Sequence, residues 1–180
     1  MILTSERLIL REFVEDDWEA VLAYQQEPLY LRYCEWNSRT PDQVREFIQI
    51  FLDHQKQEPR LKFQLAITLK SSGQLIGNCG VRKRSIEALE GDMGYELDSR
   101  HWGKGYATEA ARSVLDFGFT DLGLQRITAW CIADNASSAR VLEKIGMHLK
   151  SRTRKHQYFK SRWWDTLSYS ITREEWQAKK

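Results

Sequence analysis

The chain has 180 residues, 42% of them hydrophobic, which suits one domain with a full core and is too short for two ordinary ones. Its 27 basic and 25 acidic residues leave a net charge of +2, too even for bulk nucleic-acid affinity, so any anion binding has to be local. The 3 cysteines (Cys34, Cys79, Cys131) form no Cys-x-x-Cys pair, the 4 histidines lack metal-ligand spacing, and no apolar run approaches the ~18 residues of a membrane span; a soluble, cytoplasmic, metal-free protein is expected.

In chain order, Leu8 and Leu10 between Arg7 and Arg11 suggest a first strand ending near Phe13, and Asp16 and Asp17 open a helix with Trp18, Val21 and Leu22 on one face. Thr40-Pro41-Asp42-Gln43 has capping-box spacing with proline at the first helical position. Val44, Phe47, Ile48, Phe51 and Leu52 follow at helical spacing, which predicts a second helix. Phe63, Leu65, Ile67 and Leu69 alternate, Ser71-Ser72-Gly73 turns the chain, and Leu75 to Val81 returns it as an antiparallel hairpin.

A further strand, roughly Asp92 to Leu97, runs into Arg100-His101-Trp102-Gly103-Lys104-Gly105-Tyr106-Ala107, and the helix beyond carries Ala107, Ala110, Ala111, Val114 and Leu115 on one stripe. Arg126 to Ile132 reads as a strand, and Asp134-Asn135 as the cap of a helix ending at Gly146. His148 to Tyr158 and Trp163 to Ile171 suggest a second hairpin, and Thr172-Arg173-Glu174-Glu175 is a capping box for a short terminal helix. With no repeat, linker or low-complexity stretch, residues 1–180 are expected to form one domain.

The glycine segment is the main chemical signal. A helix start leaves several N–H groups unpaired at the positive end of the macrodipole, and glycines that permit close approach turn it into an anion cradle. No third glycine completes a dinucleotide fingerprint, and no Gly-Lys-Ser/Thr completes a Walker loop. The Arg-x-x-Gly-x-Gly pattern of Arg100 to Gly105, continued by Ala107-Thr108-Glu109-Ala110, resembles the acyl-CoA pyrophosphate signature of the GNAT acetyltransferase superfamily. Residues 6–11 (Glu6-Arg7-Leu8-Ile9-Leu10-Arg11), Gly94-Tyr95-Glu96-Leu97-Asp98 and the run Asn135 to Gly146 are similar to the branch of ribosomal-protein N-terminal acetyltransferases, RimJ/RimL-like. The resemblance spans about residues 3–172. It implies an α/β (α+β) GNAT fold, a mixed seven-stranded sheet splayed in the middle with helices on both faces. It also implies acetyl-CoA as acetyl donor, with no metal.

By that resemblance, Trp102, Gly103, Lys104, Gly105, Tyr106, Ala107 and Thr108 hold the cofactor's pyrophosphate, and Leu97, Asn135 and Ser138 complete its site. In the superfamily a tyrosine often stands at the Leu142 position and protonates the departing thiolate; leucine cannot, and Ser138 is the candidate for assisting the thiol. From the residues themselves, Asn135 fits a helix N-cap, and Ser138, with Val141, Leu142 and Ile145 at i+3, i+4 and i+7, lies on the buried face of its helix, where a hydroxyl needs a partner. Glu96, with Glu90 and Asp92 close by, is the candidate base; Gln157 stands where related ribosomal-protein enzymes carry a glutamate, and glutamine accepts no proton.

The expected reaction is acetyl transfer by direct attack of a primary amine. An α-amine with pKa near 7.8 is about 2.5 units easier to present neutral than a lysine near 10.4, roughly 3.4 kcal/mol, which favours a protein or peptide N-terminus over lysine. A small-molecule amine and a non-catalytic CoA- or RNA-binding module are the alternatives. For the latter, Lys150, Arg152 and Arg154 are expected to share one face of a basic hairpin. The other expected partner is a second copy in a homodimer; neither membrane nor nucleic acid is expected.

Overall fold

Leu65 and Ile67 face one way along their strand and Ala66 the other, yet all three are buried, so this strand lies in the middle of a sheet covered on both sides. In the computed structural model, which describes residues 1–179, the order is β1 (Ile2–Thr4), β2 (Leu8–Arg11), α1 (Trp18–Gln25), α2 (Pro28–Leu31), α3 (Pro41–Gln55), β3 (Lys62–Leu69), β4 (Leu75–Lys83) and β5 (Glu90–Leu97). There follow α4 (Tyr106–Thr120), β6 (Arg126–Ile132), α5 (Ala136–Lys144), β7 (His148–Phe159), β8 (Arg162–Thr172) and α6 (Arg173–Gln177). Among the described residues no helix is long and apolar enough to cross a membrane.

The strands form one mixed sheet in the order β1-β2-β3-β4-β5-β6-β8-β7. It has 8 strands where seven were expected, because Ile2–Thr4 pairs with Ile9–Arg11; three residues at an edge are too few to show an alternation. Every pairing is antiparallel except β5 with β6, which run parallel and match only over Glu90–Asp92 and Arg126–Thr128. Beyond Asp92 these two strands part, and their splay opens the middle of the sheet.

One face packs β-strand residues such as Leu65, Ile67 and Val81 against Ala110, Ala111, Val114 and Leu115 of α4 and Leu142 of α5. The other packs Phe13 and Ala66 against Val21 and Tyr24 of α1, Tyr30 of α2 and Val44, Ile48 and Phe51 of α3. The α3 capping box forms as its spacing predicts: Thr40 Oγ1 accepts from the Gln43 amide at 3.3 Å, and Gln43 Oε1 from the Thr40 amide at 2.9 Å, worth about 1 kcal/mol. In α1 the deepest residues are Val21, Tyr24 and Gln25, while Trp18 and Leu22 pack at the flank. The inward tyrosine and glutamine have a polar partner in the sheet.

The β7–β8 hairpin departs from simple alternation. Register shifts at Lys150 and between Thr153 and Gln157 leave Lys150 out of step with Arg152, so the expected common basic face is broken. Three of its charges are also engaged: Arg152 with Asp165 at 2.8 Å, Arg162 with Asp134 at 2.9 Å, and Lys160 Nζ on the Leu31 carbonyl.

Candidate active site

The 3-10 turn Ser99–His101 carries the chain from β5 to the glycine loop. Gly103 and Gly105 have φ of +75° and +83°. A Cβ at Gly103 would meet nothing and one at Gly105 only the tip of Arg7, so the demand for glycine is conformational rather than steric. Gly105 is the N-cap of α4 and offers no side-chain cap; the first bond of the helix runs from the Glu109 amide to the Gly105 carbonyl at 3.0 Å. The amides of Tyr106, Ala107 and Thr108 are thus left open at the positive end of a 15-residue helix, the donor set an anionic diphosphate requires.

A clamp behind the loop fixes it. Glu109, in the first turn of α4, accepts from Ser5 Oγ, the Arg7 amide and Arg7 Nε, each at 2.7 Å. Arg7 Nη1 donates to the Lys104 carbonyl at 2.9 Å, and its guanidinium lies 4.5 Å from the Tyr106 ring centre. Burial raises the Glu109 pKa, but the Arg7 amide, the Ser5 hydroxyl and the Arg7 guanidinium outweigh it and hold the carboxyl below its ordinary range.

Beside the loop the β5–β6 splay is a cleft of about 720 Å³ that passes between the two helical layers. Its lining includes Tyr95, Glu96, Leu97, Trp102, Gly103, Gly105, Tyr106, Ala107, Thr108, Asn135 and Ser138, so it gathers the candidate residues with the exception of the exposed Lys104. Gln157 and Tyr158 of the last hairpin stand outside the lining, as do Glu90 and Asp92.

Strand parity sets the backbone of the cleft. The Asp98 amide bonds the Ile76 carbonyl of β4 at 2.8 Å, so Glu96 also turns its amide to β4, and Leu97 turns its own toward the gap. The Leu97 carbonyl, on that same side, accepts the Trp102 indole N–H at 2.8 Å; the Leu97 amide remains as a donor into the cleft.

On the α5 side, Asn135 Oδ1 caps the helix by accepting the Ser138 amide at 3.1 Å. The Ser138 hydroxyl lies 2.9 Å from the Tyr95 hydroxyl, which also lies 3.0 Å from the Ser138 carbonyl. Burial pushes the Tyr95 pKa up, so this pair stays protonated. Burial likewise pushes the neighbouring Cys131 thiol up to about 11. Leu142 is buried in the core with no proton to give.

On the opposite face of the sheet Glu96 sits in a ring of donors that its sequence neighbourhood did not announce. Oε1 accepts from Tyr24 Oη at 2.5 Å, Asn78 Nδ2 at 2.6 Å and Gln25 Nε2 at 3.0 Å, and Oε2 from Tyr30 Oη at 2.5 Å. Burial and the Glu96 charge push both tyrosine pKa values up, so both donate. Oε1 is saturated, while Oε2 keeps one lone-pair direction for a further donor. This explains the inward Tyr24 and Gln25 of α1. Tyr33, after α2, spans the gap to the Asp134 carbonyl at 2.8 Å and packs edge-on against Trp164, roofing this end of the cleft. Among the described residues no cluster of three or more side chains could hold a metal ion.

Comparison with known proteins agrees with this geometry. The family of the acetyltransferase (GNAT) domain matches residues 7–148. The uncharacterized N-acetyltransferase YnaD of Bacillus subtilis strain 168 is 32% identical over 98% of this chain and 99% of its own length. A crystal structure of a GNAT-family acetyltransferase from Bacillus anthracis superposes with a TM-score of 0.83 at 30% identity, over 97% of this chain and 99% of that one. RimL, the ribosomal L7/L12 α-N-protein acetyltransferase solved with coenzyme A, shares the fold with a TM-score of 0.84 at 17% identity, over 96% and 98% of the two chains.

Proposed function

Because the chain belongs to the GNAT acetyltransferase family, and is thereby an acetyl-CoA-dependent N-acetyltransferase, we propose that its acceptor is the α-amine of a protein or peptide N-terminus, as in the RimJ/RimL-like branch. An α-amine is easier to present neutral than a lysine, and the observation that supplies a base for it is Glu96: a carboxylate fixed by four donors, with one acceptor direction left, in the cleft that also holds Ser138.

Acetyl-CoA supplies the acetyl group as a thioester. The open amides of Tyr106 to Thr108 receive its diphosphate, and the Gly103 and Gly105 conformations let the chain approach it. The Leu97 amide donates to the acyl oxygen as negative charge develops there. Glu96 Oε2 takes the proton of the attacking amine, directly or through one water, and the Ser138 hydroxyl, held beside Tyr95, donates to the leaving sulfur. The C–N bond forms as the C–S bond breaks, with no acyl-enzyme step. Alignment of amine and carbonyl supplies much of the acceleration.

A second reading, a small-molecule amine, is favoured by the Tyr33–Asp134 bridge, which ties a cleft-lining ring after α2 to the turn before α5. Incubation with acetyl-CoA and a panel of N-terminal peptides, amino acids, polyamines and aminoglycosides, read by mass spectrometry beside Ser138→Ala, separates the two. Products confined to peptide α-amines support the first, products confined to small amines the second, and no product with any amine contradicts both.

A further inference from the structure

Glu96 is the end of a longer polar chain laid across the sheet. Ala66, which packs against the helices of α1 to α3, pairs with Asn78, and Asn78 pairs with Glu96. By strand alternation Gln64 of β3, Asn78 and Arg82 of β4 and Glu96 of β5 therefore share that face. Glycines stand between them. A Cβ at Gly80 would come within 2.3 Å of Gln64 Oε1, and one at Gly94 within 3.3 Å of Arg82 Nη2, so both side chains lie over backbone that glycine leaves uncovered.

The contacts run in one direction. Arg82 Nη1 donates to Gln64 Oε1 at 3.4 Å, Gln64 Nε2 to Asn78 Oδ1 at 2.6 Å, and Asn78 Nδ2 to Glu96 Oε1 at 2.6 Å, with Tyr24 Oη a second acceptor at 3.2 Å. Gln64 and Asn78 are buried. Arg82 is held at its outer end by Asp92, from Nη2 at 2.5 Å and from Nε at 2.7 Å, so its charge is paired and the chain delivers orientation rather than net charge.

The two ends dictate that orientation. A guanidinium only donates and a carboxylate only accepts, whereas an Asn or Gln amide has two ends of nearly the same shape and opposite roles. Between Arg82 and Glu96, one arrangement satisfies every contact: each amide turns its oxygen toward Arg82 and its nitrogen toward Glu96. Reversing either amide sets oxygen against oxygen at 2.6 Å.

We propose that Gln64 is a positioning residue for acetyl transfer: it holds the Asn78 amide with Nδ2 on Glu96 Oε1, which keeps that oxygen saturated and leaves Oε2 to receive the proton of the amine. The proposal rests on Glu96 as the base in the reading above.

Gln64→Glu keeps the shape and removes the donor; a carboxylate there accepts from Asn78 Nδ2 and turns Asn78 Oδ1 onto Glu96. Gln64→Met fills the space with no polar end and leaves Asn78 able to keep its bond to Glu96. Steady-state kinetics with an amine accepted in the panel above give kcat and KM, and calorimetry gives the acetyl-CoA Kd. The side-chain amide signals of Asn78, followed by NMR in protein labelled with 15N-asparagine, give a readout that needs no acceptor. Gln64→Glu should lower kcat about tenfold, roughly one hydrogen bond to a charged group, and Gln64→Met about twofold, with the amine KM and the acetyl-CoA Kd within twofold in both. The Asn78 amide signals should move further in Gln64→Glu than in Gln64→Met. In an Asn78→Ala background Gln64→Glu should cost less than twofold more, because its effect runs through Asn78. An undiminished tenfold loss in that background assigns the effect to the added charge and overturns the proposal. A packing role gives the opposite order, with the isosteric Gln64→Glu tolerated and Gln64→Met impaired. That order, or Asn78 signals unmoved in Gln64→Glu, overturns the proposal and leaves Glu96 as the base, whereas parental kcat in Glu96→Gln overturns the reading on which the proposal rests.

Discussion

Replacing Arg7 tests whether the phosphate loop is held from behind. In Arg7→Ala the Lys104 carbonyl loses its 2.9 Å donor, a loss of about 1 kcal/mol of loop ordering, and Glu109 loses its 2.7 Å counter-ion. An uncompensated carboxylate in the first turn of α4 then competes with the diphosphate for the same helix-end field, worth about 0.3–1 kcal/mol. Together these raise the acetyl-CoA Kd by about 10- to 30-fold, at 1.4 kcal/mol per decade. Because Arg7 is 42% exposed, solvent screening keeps the electrostatic share at this small value. Calorimetric titration should show that loss with kcat reduced less than twofold at saturation. Adding Glu109→Gln should recover the electrostatic part and not the loop-ordering part. Arg7→Lys should recover little, since an ammonium cannot hold carboxylate, carbonyl and ring at once. A folded Arg7→Ala protein binding acetyl-CoA within twofold of the parent would show that Arg7 does not hold the loop.

Ser138→Ala should lower kcat about tenfold, roughly one hydrogen bond to a charged group, and combining it with Tyr95→Phe should cost little more because the two hydroxyls act as one pair; steady-state kinetics check both. Glu96→Gln should reduce kcat/KM by about 10²- to 10⁴-fold while acetyl-CoA affinity, titrated directly, stays within twofold. Gly105→Ala forces a side chain onto φ +83° and should weaken acetyl-CoA binding about tenfold, from a strain of about 1–2 kcal/mol. The Glu109 carboxyl is held below its ordinary 4.5, so its contribution to stability is full above that pH and is lost as pH falls through the folded value. Acid unfolding monitored by circular dichroism should accordingly be shallower in Glu109→Gln below about pH 4.5.

What could be read from sequence followed the range of each interaction. The α3 capping box, the β3–β4 hairpin and the stripe of α4 are made by residues a few positions apart, so spacing alone announces them. The glycine loop was legible because φ near +75° and +83° restricts the residue type. Ser138 was legible as a hydroxyl on a buried face, but its partner Tyr95 is 43 residues away and invisible to periodicity. The donors on Glu96 come from Tyr24, Gln25, Tyr30 and Asn78, separated from it by 72, 71, 66 and 18 residues, and only the fold unites them. The cleft-lining segment from Tyr30 to Trp36 carries neither helical nor strand periodicity, and Tyr33 within it reaches across to the Asp134 carbonyl. Lys150 misled because a bulge carries no signature in a run of exposed polar residues.

Direct transfer of an acetyl group to an amine in the β5–β6 cleft is open to a single-turnover experiment with acetyl-CoA labelled in its acetyl carbons and an accepted amine. Direct transfer places label in the amine product at the rate of thiol release and none on the protein at any time, and both signals are lost together in Glu96→Gln. Label accumulating on Cys34, Cys131 or any other side chain before product forms, or thiol release without amine acetylation, would contradict it.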